Sequence, residues 1–100
     1  MIIVRNVFTV KFGKARDAME AYKEVVGIAR QATVNAVPIR VLTDVTGTNY
    51  TIVSELTFET LAAFEQTMPK VSGESRWQAA YQKFTPHVES GHREIFKVVD

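Results

Sequence analysis

The sequence predicts an α+β fold of the ferredoxin-like type: strand, helix, strand, strand, helix, strand, forming one antiparallel sheet with its helices on one face. Three patterns lead there. Ile2 to Phe12 alternates with a period of two, and Lys14 to Gln31 repeats its apolar residues every three or four positions. A hairpin pattern, helical stripes and a last apolar strand then fill the remainder. The chain has 100 residues, 46% of them hydrophobic. That fits a single domain over 1–100, since folded domains cluster near ~100–150 residues.

The first strand places Ile2, Val4, Asn6, Phe8, Val10 and Phe12 on one face and Ile3, Arg5, Val7, Thr9 and Lys11 on the other. Gly13 is the corner into the helix, where a residue without a Cβ relieves the turn. The helix sets Ala15, Ala18, Met19, Tyr22, Val25, Val26 and Ala29 on one stripe. Asp17 and Glu20 come early and Arg30 late, as the helix dipole favours. "TVNAVP" (33–38) breaks the pattern, "IRVLTDVT" (39–46) alternates again, and "TGTN" (46–49) turns the chain back so that Tyr50 to Phe58 pairs with it.

Glu59 to Ser90 reads as two helical pieces, one striped by Leu61, Phe64 and Met68, the other by Trp77, Ala80, Tyr81 and Phe84. Pro69 and "SG" (72–73) separate them, and Pro86 ends the second. "HREIFKVV" (92–99) closes the chain as a strand. With the apolar face of the first strand on the helices, the other sheet face should carry Ile3, Val7, Leu42, Val53, Ile95 and Val99. Arg5, Arg40, Asp44, Glu55, Arg93 and Lys97 should lie among them. So mixed a face suits a partly buried interface, and a second copy packing sheet to sheet is the simplest occupant.

Twelve basic and eleven acidic residues leave a net charge of +1, too weak a field to recruit nucleic acid or a membrane surface. The absence of cysteine excludes disulfides and thiolate chemistry. No apolar run near the start reaches signal-peptide length, so a cytoplasmic location is expected.

Gly13-Lys14 after a strand raises the question of a phosphate loop. That motif needs a glycine five residues earlier and a hydroxyl residue afterwards, where this chain has Phe8 and Ala15. His87 and His92 lie five apart across an expected loop containing Gly91, a spacing without a third ligand, so no metal site is expected. His87 is the one conventional candidate for a catalytic base, with an unperturbed pKa near ~6.5. Asn6 is the odd residue on an apolar strand face and must find a partner. In the stripe of Trp77, Tyr81 and Phe84, the Tyr81 hydroxyl has the same requirement. Because both apolar surfaces meet in one core, Asn6 and Tyr81 should face one space, with Tyr22 and Trp77 along its walls.

Three stretches carry a resemblance: "NVFTVKFGKARD" (6–17), "SELTFETLAAFEQTM" (54–68) and "WQAAYQKFTPHVESGHREIFKVV" (77–99). Together they resemble the dimeric α+β barrel superfamily, in particular its NIPSNAP-like and antibiotic-biosynthesis-monooxygenase-like members. The resemblance implies a homodimer. It also implies one of two functions: a cofactor-independent monooxygenase acting on an aromatic substrate, or a non-catalytic NIPSNAP-like binding or stress-related protein. For the enzyme, Asn6, Tyr22, Trp77 and Tyr81 would line the substrate pocket, with His87 and Tyr81 as catalytic candidates and no cofactor. Haem-degrading members of the superfamily pair a first-strand Asn, matched by Asn6, with a His whose position here holds Tyr81 and a Trp whose position falls near Gln66 or Thr67. Haem binding is therefore not expected.

Overall fold

The computed structural model describes residues 1–100. Its elements run β1 (Ile2–Val10), α1 (Ala15–Ala32), β2 (Ile39–Thr43), β3 (Thr51–Phe58), α2 (Leu61–Ser72), α3 (Ser75–Phe84), a 3-10 turn (Thr85–His87) and β4 (Val88–Lys97). The strands form one antiparallel sheet in the order β2-β3-β1-β4. This is the ferredoxin-like arrangement, with the second helical excursion split in two. No helix is long and apolar enough to cross a membrane.

Local chemistry explains the boundaries. β1 ends two residues before Phe12, which is 90% exposed and meets the Tyr50 ring edge-on at 6.1 Å. The alternation of β1 thus outruns the strand. The chain leaves the sheet at Lys11 and turns through Gly13, whose φ of +79° is the left-handed conformation that glycine tolerates. β2 stops at Thr43 because the Asp44 carboxylate turns to the hairpin loop, accepting from the backbone N–H groups of Asn49 and Thr51. The Thr60 hydroxyl opens α2 by accepting from Ala63 N at 3.1 Å. Pro69 does not interrupt α2. It sits in the last turns, and the separation from α3 comes at Gly73 and Glu74.

β4 starts at Val88, so Gly91 and His92 belong to a strand and not to a loop. Its register pairs Val4 with Ile95, Asn6 with Arg93 and Phe8 with Gly91. Arg93, Ile95 and Lys97 therefore share the helix-facing side, correcting their expected place on the outer face. His92, Glu94 and Phe96 lie outward instead, while Val99 and Asp44 fall beyond the strands. The physical reason is the Phe8 ring. A Cβ on residue 91 would lie 2.9 Å from Phe8 Cδ1, so any larger residue across from it would have to displace the ring.

The helix-facing side builds two apolar clusters. One joins Val10, Ala18, Tyr22, Val25, Val26, Ile28, Ile52, Ala80 and Phe84; the other joins Val4, Leu56, Phe58 and Phe64. On the outer face Glu55 is nearly buried at 8% exposure, yet it is well paired. It accepts from Arg40 Nη2 at 2.7 Å and from Arg5 Nη2 and Nε at 2.7 and 3.1 Å. The Arg40 and Arg5 bonds hold its carboxyl below the usual range. Arg5 in turn lies over the Phe96 ring at 5.2 Å.

Phe8 is held by Tyr22 and Phe84 at centroid distances of 5.3 and 5.0 Å, so its ring has little room to yield. Gly91→Ala should destabilise the fold by about 1–3 kcal/mol through overpacking. Adding Phe8→Leu should make the alanine cheaper than it is in the wild-type background, measured by urea denaturation of the four-member cycle. Equal costs in both backgrounds would show that Phe8 does not set the register.

Candidate functional site

Between the two apolar clusters, the inner face of the sheet carries one polar row. Asn6 on β1 is paired in register with Ser54 on β3 and Arg93 on β4. Arg93 Nε donates to Asn6 Oδ1 at 2.8 Å, and Asn6 Nδ2 donates to Ser54 Oγ at 3.2 Å. From α1 above, the Tyr22 hydroxyl donates to the same Ser54 oxygen at 2.7 Å. Ser54 is only 1% exposed, and no buried side-chain polar atom is left without a partner. The row meets the rule that buried polar groups are paired.

Helices and sheet part over this row and leave a partly open cavity of about 500 Å³. Asn6, Phe8 and Ser54 form its floor, Tyr22, Val25 and Val26 one wall, and Trp77 and Tyr81 another. The indole and phenol of that wall are stacked, with centroids 4.8 Å apart and planes 11° apart, presenting a flat aromatic surface. The segment from Ser90 to Arg93 borders the mouth. No Asp or Glu lines the cavity.

The four residues expected to line one space, Asn6, Tyr22, Trp77 and Tyr81, do surround this cavity. Asn6 and Tyr81 do not bond each other: Asn6 is held by Ser54 and Arg93, and Tyr81 makes no side-chain hydrogen bond within the protein. His87 stands outside. It lies in the 3-10 turn, where its carbonyl accepts from Lys11 N, so the position expected for a base is not part of the lining. His92 borders the mouth, but its pairing with Val7 turns it to the outer face, where Nε2 lies 3.8 Å from Glu94. Of the two histidines, only His92 borders the cavity, and its imidazole is engaged with Glu94.

Ser54 and Arg93 were missed. Ser54 interrupts the buried alternation of Ile52, Leu56 and Phe58 just as Asn6 interrupts that of β1, and that signal was readable in "TIVSELTF". Arg93 depended on the β4 register, which the alternation of the last strand does not fix.

Burial pushes the Tyr22 hydroxyl up to about 12, the Ser54 bond opposing only part of the shift. Tyr22 therefore stays protonated and acts as a donor, not a base.

No protein-family model matches the chain, and no curated protein matches it by sequence. Solved structures do match. A NIPSNAP domain protein from Burkholderia xenovorans superposes with a TM-score of 0.87 at 18% identity, over 99% of this chain and 95% of that one. A NIPSNAP family protein from Agrobacterium tumefaciens gives 0.87 at 16% identity, over 99% and 86%. SnoaB, a cofactor-independent oxygenase from Streptomyces nogalater, gives 0.73 at 10% identity, over 99% and 93%. These likenesses establish a shared fold, the one implied by the resemblance drawn from the sequence.

Tyr22 binds its proton more tightly folded than unfolded, so the stability it contributes is full below its ordinary pKa of 10.0 and is lost as pH rises through about 12. The loss should amount to about 2–3 kcal/mol. In Tyr22→Phe this part of the alkaline decline should disappear, read as the difference between the two stability-against-pH curves over that interval. Parallel curves would mean that the phenol is not buried as described.

Proposed function

We propose that this chain is a small-molecule-binding protein that works as a homodimer, with its ligand held between the Asn6–Ser54 floor and the Trp77–Tyr81 wall. The observation that carries the reading is the cavity itself, about 500 Å³ in volume and mostly apolar, with a few convergent polar groups. Ligand sites typically occupy ~300–1,000 Å³ and have this composition. The flat aromatic wall favours a planar ligand.

The same wall supports a second reading that adds catalysis: a cofactor-independent oxygenase acting on an electron-rich polyhydroxylated aromatic. The fold shared with SnoaB is compatible with it. With Tyr22 protonated and His87 outside, such a substrate would have to enter already ionised. Binding without catalysis, as in the NIPSNAP-like reading, needs no such condition.

A thermal-shift screen of planar aromatics should find compounds that raise the melting temperature, because a ligand selective for the folded state stabilises it. Ala29 lines the cavity, and Ala29→Phe should fill the space, leave the chain folded and erase those shifts. Shifts that persist in the filled variant would place binding elsewhere. Oxygen uptake above the autoxidation rate with a shifted polyhydroxylated aromatic would support the catalytic reading.

The dimer rests on the outer face, where Ile3, Val7, Leu42, Val53 and Phe96 surround the Arg5–Glu55–Arg40 group and His92–Glu94. A face that mixes apolar side chains with charges of both signs suits a two-fold contact, in which one patch must complement its own copy. Light scattering should give twice the chain mass at micromolar concentration, and Val7→Glu should return the monomer. A monomer mass for the wild type would remove the claim.

A further inference from the structure

From the mouth of the cavity we infer that the ligand is a planar organic acid whose carboxylate is received by Arg93. The inference rests on the cavity being a ligand site and names the chemical class that it takes.

Arg93 is the one guanidinium on the lining, and it has no acidic partner. The ion pairs of the chain engage Arg5, Arg40, Lys83 and His92, and no Asp or Glu stands on the cavity wall to neutralise the charge. The group is nevertheless held in place. Its Nε donates to Asn6 Oδ1 at 2.8 Å, and its Cζ lies over the Phe64 ring, 5.3 Å from the centroid. A guanidinium so anchored keeps both Nη groups free, and these are the end-on fork that matches the two oxygens of a carboxylate.

Asn6 adds to the same polarity. Its Oδ1 accepts from Arg93 and one amide proton goes to Ser54, so its second amide proton is uncommitted. Tyr22 stays protonated and spends its proton on Ser54. The polar side of the site thus offers a charged fork and an amide N–H with no carboxylate acceptor, facing a flat Trp77–Tyr81 wall. A ligand complementary to it has an aromatic body and an anionic, two-oxygen end. A neutral ligand would leave the Arg93 fork without its match.

The test uses the full chain with 2-naphthoate and 2-naphthamide, which share a ring system and differ in the charge of the end group, titrated by calorimetry. Naphthoate should bind at least roughly tenfold more tightly than naphthamide, as charge-assisted hydrogen bonds allow. The preference should weaken with added salt. Arg93→Gln should abolish the preference while leaving the amide affinity in place, and Arg93→Lys, which keeps the charge but loses the fork, should retain only part of it. Equal binding of acid and amide by the wild type would overturn the inference and leave the cavity reading standing. Failure of both probes to bind at millimolar concentration would overturn the two together. Should Arg93→Gln fail to give the wild-type circular dichroism spectrum, the acid-to-amide ratios of wild type and Arg93→Lys decide the matter, an unchanged ratio overturning it.

Discussion

The structure depends on keeping one polar row satisfied inside an apolar sheet face. A buried, unpaired amide or hydroxyl costs about 1–3 kcal/mol, and a row of them would take a large part of the roughly 5–15 kcal/mol by which a domain is stable. Here the groups answer one another. Arg93 donates to Asn6, Asn6 to Ser54, and Tyr22 reaches down from α1 to the same Ser54 oxygen. That last bond ties the helix layer to the sheet at the seam between the two apolar clusters. The ring contacts of Tyr22 with Phe8 and Phe84 then hold the phenol over its acceptor. The polar floor of the cavity is already satisfied, and its walls are formed by Tyr22, Val25 and Val26 on one side and by the stacked Trp77 and Tyr81 on another.

The sequence made much of this legible, because local periodicity and core membership are local properties. The alternation of β1, the stripe of α1 and the Trp77–Tyr81–Phe84 stripe each follow from residue spacing, and so does the meeting of Asn6 with the aromatic helix face. What stayed hidden was set by pairing between distant segments. The side of the sheet taken by Arg93 depends on which residue of β4 lies opposite Phe8, and a slip of one residue reverses every side chain of a strand. Gly91 stands opposite Phe8, where a Cβ would crowd the ring, and no pattern within "HREIFKVV" reports that pairing. Phe12 erred in the other direction: an alternation continued past the point where backbone pairing ends.

His87 shows why residue type is a weak guide to chemistry. An imidazole near a presumed cavity mouth invites the role of base, but the 3-10 turn around Pro86 uses the carbonyl of that residue to receive Lys11 N and leaves it off the lining. Ser54 and Arg93, which do line the cavity, carry no catalytic signature of their own. Their significance comes from lying in one register row with Asn6.

The mouth of the cavity follows from how the layers are matched. β4 is an edge strand, exposed over most of its length, and Arg93 stands where the site opens along it. The pleat then gives β4 two surfaces at adjacent positions: Arg93 faces the cavity, while His92 and Glu94 on either side of it face the proposed dimer contact. A ligand that fixes Arg93 restrains the same backbone from which the outer residues project. A second copy packed against that face would likewise hold the mouth in one geometry. The cavity lining and the proposed contact face thus draw on alternate residues of one strand, and the same alternation kept the inward position of Arg93 out of view in the sequence.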